Sequence, residues 1–214
     1  YFDRKDPPEL QLRHDLMRAK LTGYLESPAV VFNRYPRRDQ SLPARYARVI
    51  GSFFRGGQRG LSTAIAGIDQ LIAENPRNAY FQELKGDLLM RAGRPAESVA
   101  PLKRALAMKP RAPLIQVQLA SALLAMNDRR QIKASVSLLR SSLRRDQNPR
   151  AYRMLADAFY RQGQPALANA ATAQASFIGG NLKRAKVFAK RAQPALKRGS
   201  VWWVRMDDIL NAKG

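Results

Sequence analysis

Small and apolar residues recur along this chain three or four positions apart, and no stretch alternates as a strand would. Residues 7–26 read as one helix. Pro7 and Pro8 stand at its start, and Leu12, Leu16, Ala19 and Leu25 form its stripe. Residues 27–42 read as an irregular connector, with Pro28, Pro36 and Pro43 around it. From Tyr46 onward the pattern becomes a series of helix pairs. Tyr46, Val49, Ile50 and Phe53 mark one helix and Ala64, Ile68 and Leu71 the next, with a long glycine-rich turn at residues 56–60 between them. Residues 181–193 form an amphipathic helix whose small and apolar stripe is Leu182, Ala185, Ala189 and Ala192. Ser200 stands as an N-cap for a last helix carrying Trp202, Trp203, Met206, Ile209 and Leu210.

The pairs in the middle of the chain repeat about every 34 residues. Residues 79–110 carry Gly86, Gly93, Ser98, Leu102, Ala105 and Pro110 at positions 8, 15, 20, 24, 27 and 32 of such a unit. Small residues allow paired helices to approach, glycine permits the tight turn, and proline stops the second helix. Residues 149–180 supply Tyr152, Leu155, Ala156, Phe159, Gly163, Ala168 and Ala175 in matching places, although Gly180 replaces the proline. Residues 113–148 match through Leu119, Ala120 and Leu123. Their second helix fits if about three residues are inserted near 127–132, which puts Ser135, Leu139 and Ser142 at positions 20, 24 and 27. Residues 46–76 are a weaker copy. This order resembles the tetratricopeptide repeat. The resemblance implies an all-α fold, a right-handed superhelical solenoid of about four repeat-like pairs with extra helices at both ends. The expected organisation is one continuous helical domain in three parts: residues 1–42, 43–180 and 181–214.

Composition narrows the function classes. Apolar residues make up 45% and charged residues 25% of the 214, which is globular rather than disordered. No run of about 18 apolar residues exists to cross a membrane as a helix. Cysteine is absent and His14 is the one histidine, so neither a thiolate site nor an H-E-x-x-H zinc helix can be assembled. His14 stands between Arg13 and Asp15 on a polar face, where a solvated role is expected. The chain is therefore expected to hold no catalytic site, no cofactor and no metal. It opens on Tyr1 rather than Met, and a fragment of a longer protein is the expectation. Charge is the outlying quantity: 38 Lys plus Arg against 16 Asp plus Glu give a net +22, a field that favours acidic partners.

In stacked repeats the first helices line a concave groove, at positions 2, 5, 9, 12 and 13. Those positions make Tyr80, Glu83, Asp87, Met90 and Arg91 one candidate set for holding a protein or peptide. Leu114, Val117, Ser121, Leu124 and Ala125 form a second, and Arg150, Arg153, Asp157, Tyr160 and Arg161 a third. The Lys and Asn clamp by which chaperone-binding repeats hold a C-terminal carboxylate is replaced at positions 5 and 9 by Glu83 and Asp87, Val117 and Ser121, and Arg153 and Asp157. No acidic residue occurs between Ala158 and Met206, and Lys183, Lys186 and Lys190 fall away from the alanine stripe of their helix. A basic helix of that kind suits an anionic membrane surface or phosphates, but no helix-turn-helix, RNA-recognition or KH signature accompanies it, which argues against nucleic acid. Neighbouring helical positions diverge by about 100°, so one of Trp202 and Trp203 is expected to pack inward while the other flanks it.

Three segments taken in order carry a narrower resemblance: DPPELQLRHDLMRAKL near the start, NAYFQELKGDLLMRAGRPAESVAPLKRAL in the middle, and AKRA followed by GSVWWVRMDDIL at the end. Together they resemble the C-terminal tetratricopeptide region of BepA-like periplasmic zinc metalloproteases, over almost the whole chain. That resemblance implies a non-catalytic substrate- or partner-recognition region, with zinc held in a separate peptidase domain. It implies protein clients, the peptidase domain in cis and outer-membrane assembly machinery as partners, and the periplasm as location. The competing expectation is a charge-driven binder of nucleic acid or of an anionic membrane surface, which salt would weaken steeply.

Overall fold

The computed structural model describes residues 7–213, and every regular element among them is helical. The chain divides into two compact units that meet in sequence between Arg94 and Pro95. The first contains α1 (Pro8–Leu25), α2 (Pro28–Arg34), α3 (Leu42–Phe54), α4 (Gly57–Glu74) and α5 (Ala79–Arg91). The second contains α6 (Pro95–Met108), α7 (Pro113–Ala125), α8 (Arg129–Leu143), α9 (Pro149–Arg161), α10 (Pro165–Ile178), α11 (Leu182–Ala192) and α12 (Val201–Asn211), with a 3-10 turn at Gln193–Ala195. Residues 1–6, including Asp6 of the first resembling segment, and Gly214 lie outside the described residues.

In the first unit α3 and α4 form a hairpin, α5 follows on α4, and α1 packs on α3. Tyr46, Ile50, Ile68, Leu71, Phe81 and Leu84 are buried at its centre. Gly23 sets how closely α1 sits, because a Cβ there would stand 2.7 Å from Ile50 Cβ. The expected irregular connector is corrected. Pro28 opens α2 at its first turn, where its missing N–H costs nothing, and the Ser27 hydroxyl accepts from the Val30 amide. The expected long turn at 56–60 is corrected too. α4 begins at Gly57, so Gly60 lies inside it, where a Cβ would meet the Ser52 carbonyl oxygen at 2.6 Å.

The second unit keeps the repeat more strictly. α8 begins 16 residues after α7, and α10 begins 16 residues after α9. The turn after α7 holds three residues, as does the turn after α9, so the expected insertion near 127–132 is absent. The extra length lies further on, in the 15 residues of α8 and the five that follow it. Asn127 closes the turn after α7, taking the left-handed conformation at φ 54° where Gly163 has φ 70° after α9. Asparagine tolerates that region better than other side chains. Ile132, Val136, Leu139 and Leu143 then form the buried stripe of α8, alongside the buried hydroxyls of Ser135 and Ser142.

α10 divides its alanines between two clusters. Ala168, Ala171 and Ala175 pack with α9, whereas Ala170 and Ala173 pack with α11 and α12. Ser200 caps α12, its hydroxyl accepting from the Trp203 amide at 3.3 Å. Trp202 packs inward, edge-on to both Tyr152 and Phe159. Arg205 donates to the Tyr152 hydroxyl at 2.9 Å, and that hydroxyl donates to Gln147 at 2.8 Å. Trp203 flanks the helix, with the Arg198 guanidinium 5.9 Å above its ring.

Candidate protein-binding surfaces

The groove positions of α5 are already engaged by α1. Lys20 Nζ lies 2.6 Å from Glu83, and the Tyr24 hydroxyl donates to Asp87. Arg91 Nε bonds Asp87 at 2.8 Å, and its guanidinium stands 5.1 Å from the Tyr24 ring centroid. Glu83, expected to be open to a ligand, is buried at 6% exposure. The expectation that Glu83, Asp87 and Arg91 present a free surface is corrected, since α1 supplies partners for all three. Tyr80, half exposed, remains outward. Burial, reinforced by the negative charge of Asp87, pushes the Tyr24 phenol well above its usual range. Burial does the same to Tyr46, whose hydroxyl has no hydrogen-bond partner among the described residues.

In the second unit the groove set splits. Leu114 on α7 is 65% exposed and Tyr160 on α9 is 74% exposed. Arg150 and Arg153 are exposed beside them on α9, and Ser121 is half-buried. Val117 and Leu124 are corrections: both are buried in the core with Tyr152 and Phe159. Arg161 is engaged structurally. It pairs with Asp157 at 2.9 Å and donates to the Leu124 carbonyl at 3.0 Å and to Asn127 at 3.3 Å. The Leu124 carbonyl lies in the last turn of α7 and also accepts from the Asn127 amide at 3.2 Å, so Arg161 adds a second bond there and ties α9 to that terminus. Of the basic set, Lys183 and Lys190 are exposed and Lys186 is half-buried on the flank of α11.

One surface escaped the sequence reading. The expected stripe of α1 placed Leu12 and Leu25 inward, yet Ala19, Thr22 and Gly23 are buried while Leu25 is 78% exposed. Leu10, Met17, Leu21 and Leu25 instead line the outward side together with exposed His14, at a spacing that keeps them in one row. α1 is thus apolar on two sides. That signal was readable as an excess of leucine and methionine over what one stripe needs. Beside it, Gln11, Leu12, Asp15, Arg18, Tyr35 and Ser41 help line an open cleft of about 450 Å³. Among the described residues no group of three or more His, Cys, Asp or Glu side chains converges as a metal site would require, and no helix is long and apolar enough to cross a membrane.

Comparison with known proteins places the fold. The tetratricopeptide-repeat family profile matches residues 55–113. No curated protein matches the chain. Among solved structures it is similar to PilF of Pseudomonas aeruginosa at 16% identity, covering 93% of this chain and 97% of that one with a TM-score of 0.57. MamA of strain MSR-1 is similar at 15% identity, with 86% and 98% covered and a TM-score of 0.58. A thermophilic tetratricopeptide protein of Thermus thermophilus is similar at 16% identity, with 94% and 98% covered and a TM-score of 0.54. The fold class is therefore that of the tetratricopeptide-repeat proteins, all-α and built from stacked helix hairpins. Tetratricopeptide repeats are an architecture of protein–protein interaction.

Proposed function

We propose that this chain is the substrate- or partner-recognition region of a BepA-like periplasmic zinc metalloprotease acting in outer-membrane protein quality control. The observation that carries an interaction role is the outward row Leu10, Met17, Leu21 and Leu25. A helix apolar on two sides is built to be covered on two sides, and one of these is bare. The open positions Leu114, Arg150, Arg153 and Tyr160 of the second unit add a mixed surface suited to an extended polypeptide. The narrower assignment is supported by the segments that carry the resemblance. Lys20 of the first meets Glu83 of the second, and Arg205 of the third holds α12 on α9.

On this reading the work is contact rather than chemistry. Clients are held near an active site tethered in the same protein, which raises their local concentration. Zinc belongs to the peptidase domain of that parent. The test uses the full-length protein. Its reading frame upstream of Tyr1 should encode H-E-x-x-H, and Met17→Glu with Leu21→Glu should leave the fold intact while raising KM for an unfolded outer-membrane client. A reading frame with no peptidase ends the metalloprotease assignment and leaves the interaction role standing. A doubly substituted protein that cleaves its client with unchanged KM removes α1 from recognition.

A further inference from the structure

α11 spends its apolar side on the core. Ala185, Ala189 and Ala192 are fully buried against α10 and α12. At 100° per residue, Val187 lies opposite that stripe, with Lys183 and Lys190 on one side of it and Arg184 and Arg191 on the other. All five are exposed, Val187 at 43%. Each like pair is seven residues apart, about 10 Å along the helix. Among the described residues none of these four cations is paired with a carboxylate. Of the acids on either side in sequence, Asp157 is held by Arg161 and Asp207 accepts from Gln193 and Asn211, while Asp208 is exposed on α12. The surplus is regional. Residues 95–214 hold 22 Lys plus Arg against 6 Asp plus Glu, a net +16, whereas residues 1–94 hold 16 against 10, a net +6.

We propose that the outward face of α11, with Lys183, Arg184, Lys190 and Arg191 around Val187, is a docking surface for an anionic lipid bilayer. Charge complementarity supplies the attraction, and three features choose the occupant. Single-stranded nucleic acid is gripped by free aromatic faces, and the rings of α11 and α12 are taken. Phe188 has Arg184 at 5.6 Å and Arg191 at 5.4 Å, Trp203 has Arg198, and Trp202 is packed on Tyr152 and Phe159. An acidic partner helix needs an apolar seam, and Val187 alone does not make one. A bilayer surface needs neither: it is flat, it accepts a convex helix, and cations near it add their attractions. Because the alanine stripe is committed to the core, α11 adsorbs to headgroups without inserting, and adsorption is reversible and salt-sensitive.

The test is sedimentation of the whole chain with vesicles of phosphatidylcholine alone and of phosphatidylcholine with about one-third phosphatidylglycerol. Binding is expected to the second kind only and to fade as salt rises. Lys183→Glu with Lys190→Glu should weaken it at least about tenfold. Arg129→Glu with Arg130→Glu, an equal change of charge at the start of α8, should weaken it about twofold or less. Equal losses in the two variants would show that net charge alone is at work and overturn the proposal. So would equal binding to both vesicle kinds, no binding to either, or tighter binding to a single-stranded oligonucleotide abolished by the same α11 substitutions.

Discussion

α1 and α11 are seated alike and finished differently. Each buries a short row of small residues, Ala19, Thr22 and Gly23 in one and Ala185, Ala189 and Ala192 in the other. Each therefore approaches its neighbours closely. Outward, α1 presents leucine and methionine and ties its cation Lys20 to a carboxylate, whereas α11 presents around one valine four cations that no carboxylate pairs among the described residues. The seat is a matter of stability and the outer face a matter of partner, so the two can be altered separately.

The largest effects should come from the seats. Gly23→Val in α1 and Ala189→Leu in α11 should each cost about 2–3 kcal/mol, read as a lower urea midpoint at unchanged slope. A neutral Gly23→Val would mean that α1 is not held on α3. Next come the cations. Lys20→Met removes a charged hydrogen bond from buried Glu83 and should cost about 1–2 kcal/mol, while Arg184→Met on α11 should change stability by less than about 0.5 kcal/mol. Equal costs would erase the contrast.

Tyr24→Phe should cost about 1 kcal/mol near neutral pH by removing the bond to Asp87. It should also change the alkaline limb. The folded phenol resists ionisation, so above the usual value of 10.0 only the unfolded chain loses that proton, and stability falls as pH rises further. Tyr24→Phe should flatten that fall, and adding Tyr46→Phe should flatten it again. Smallest of all, Leu21→Ser and Lys190→Ser should each leave stability within about 0.5 kcal/mol. A larger loss in either would show an outer face serving the fold.

Helix positions and small-residue contacts were legible where a helix carries one dominant stripe, as α3, α8, α9 and α11 do. Ala120 is fully buried and Gly86 is buried, as their repeat positions require. What misled was local chemistry with two readings. Proline at 28 opens a helix as readily as it breaks one, glycine at 60 serves a close approach rather than a loop, and asparagine at 127 does the work of glycine. The binding surface was less legible, since groove positions transferred from a repeat template say nothing of a helix from outside the repeat. Nothing local in residues 79–91 announces that Lys20 and Tyr24, some 63 residues earlier, engage Glu83 and Asp87. Val117 and Leu124 were misplaced because α7 carries no charge and its pattern cannot point to a single side.

α10 has one further consequence. With alanine on both of its packed sides it works as a thin partition between two rooms, and methyl groups have no rotamers with which to absorb a shift. A push against α11 at a membrane would pass through that partition to α9 and to the Arg161 tether beyond it.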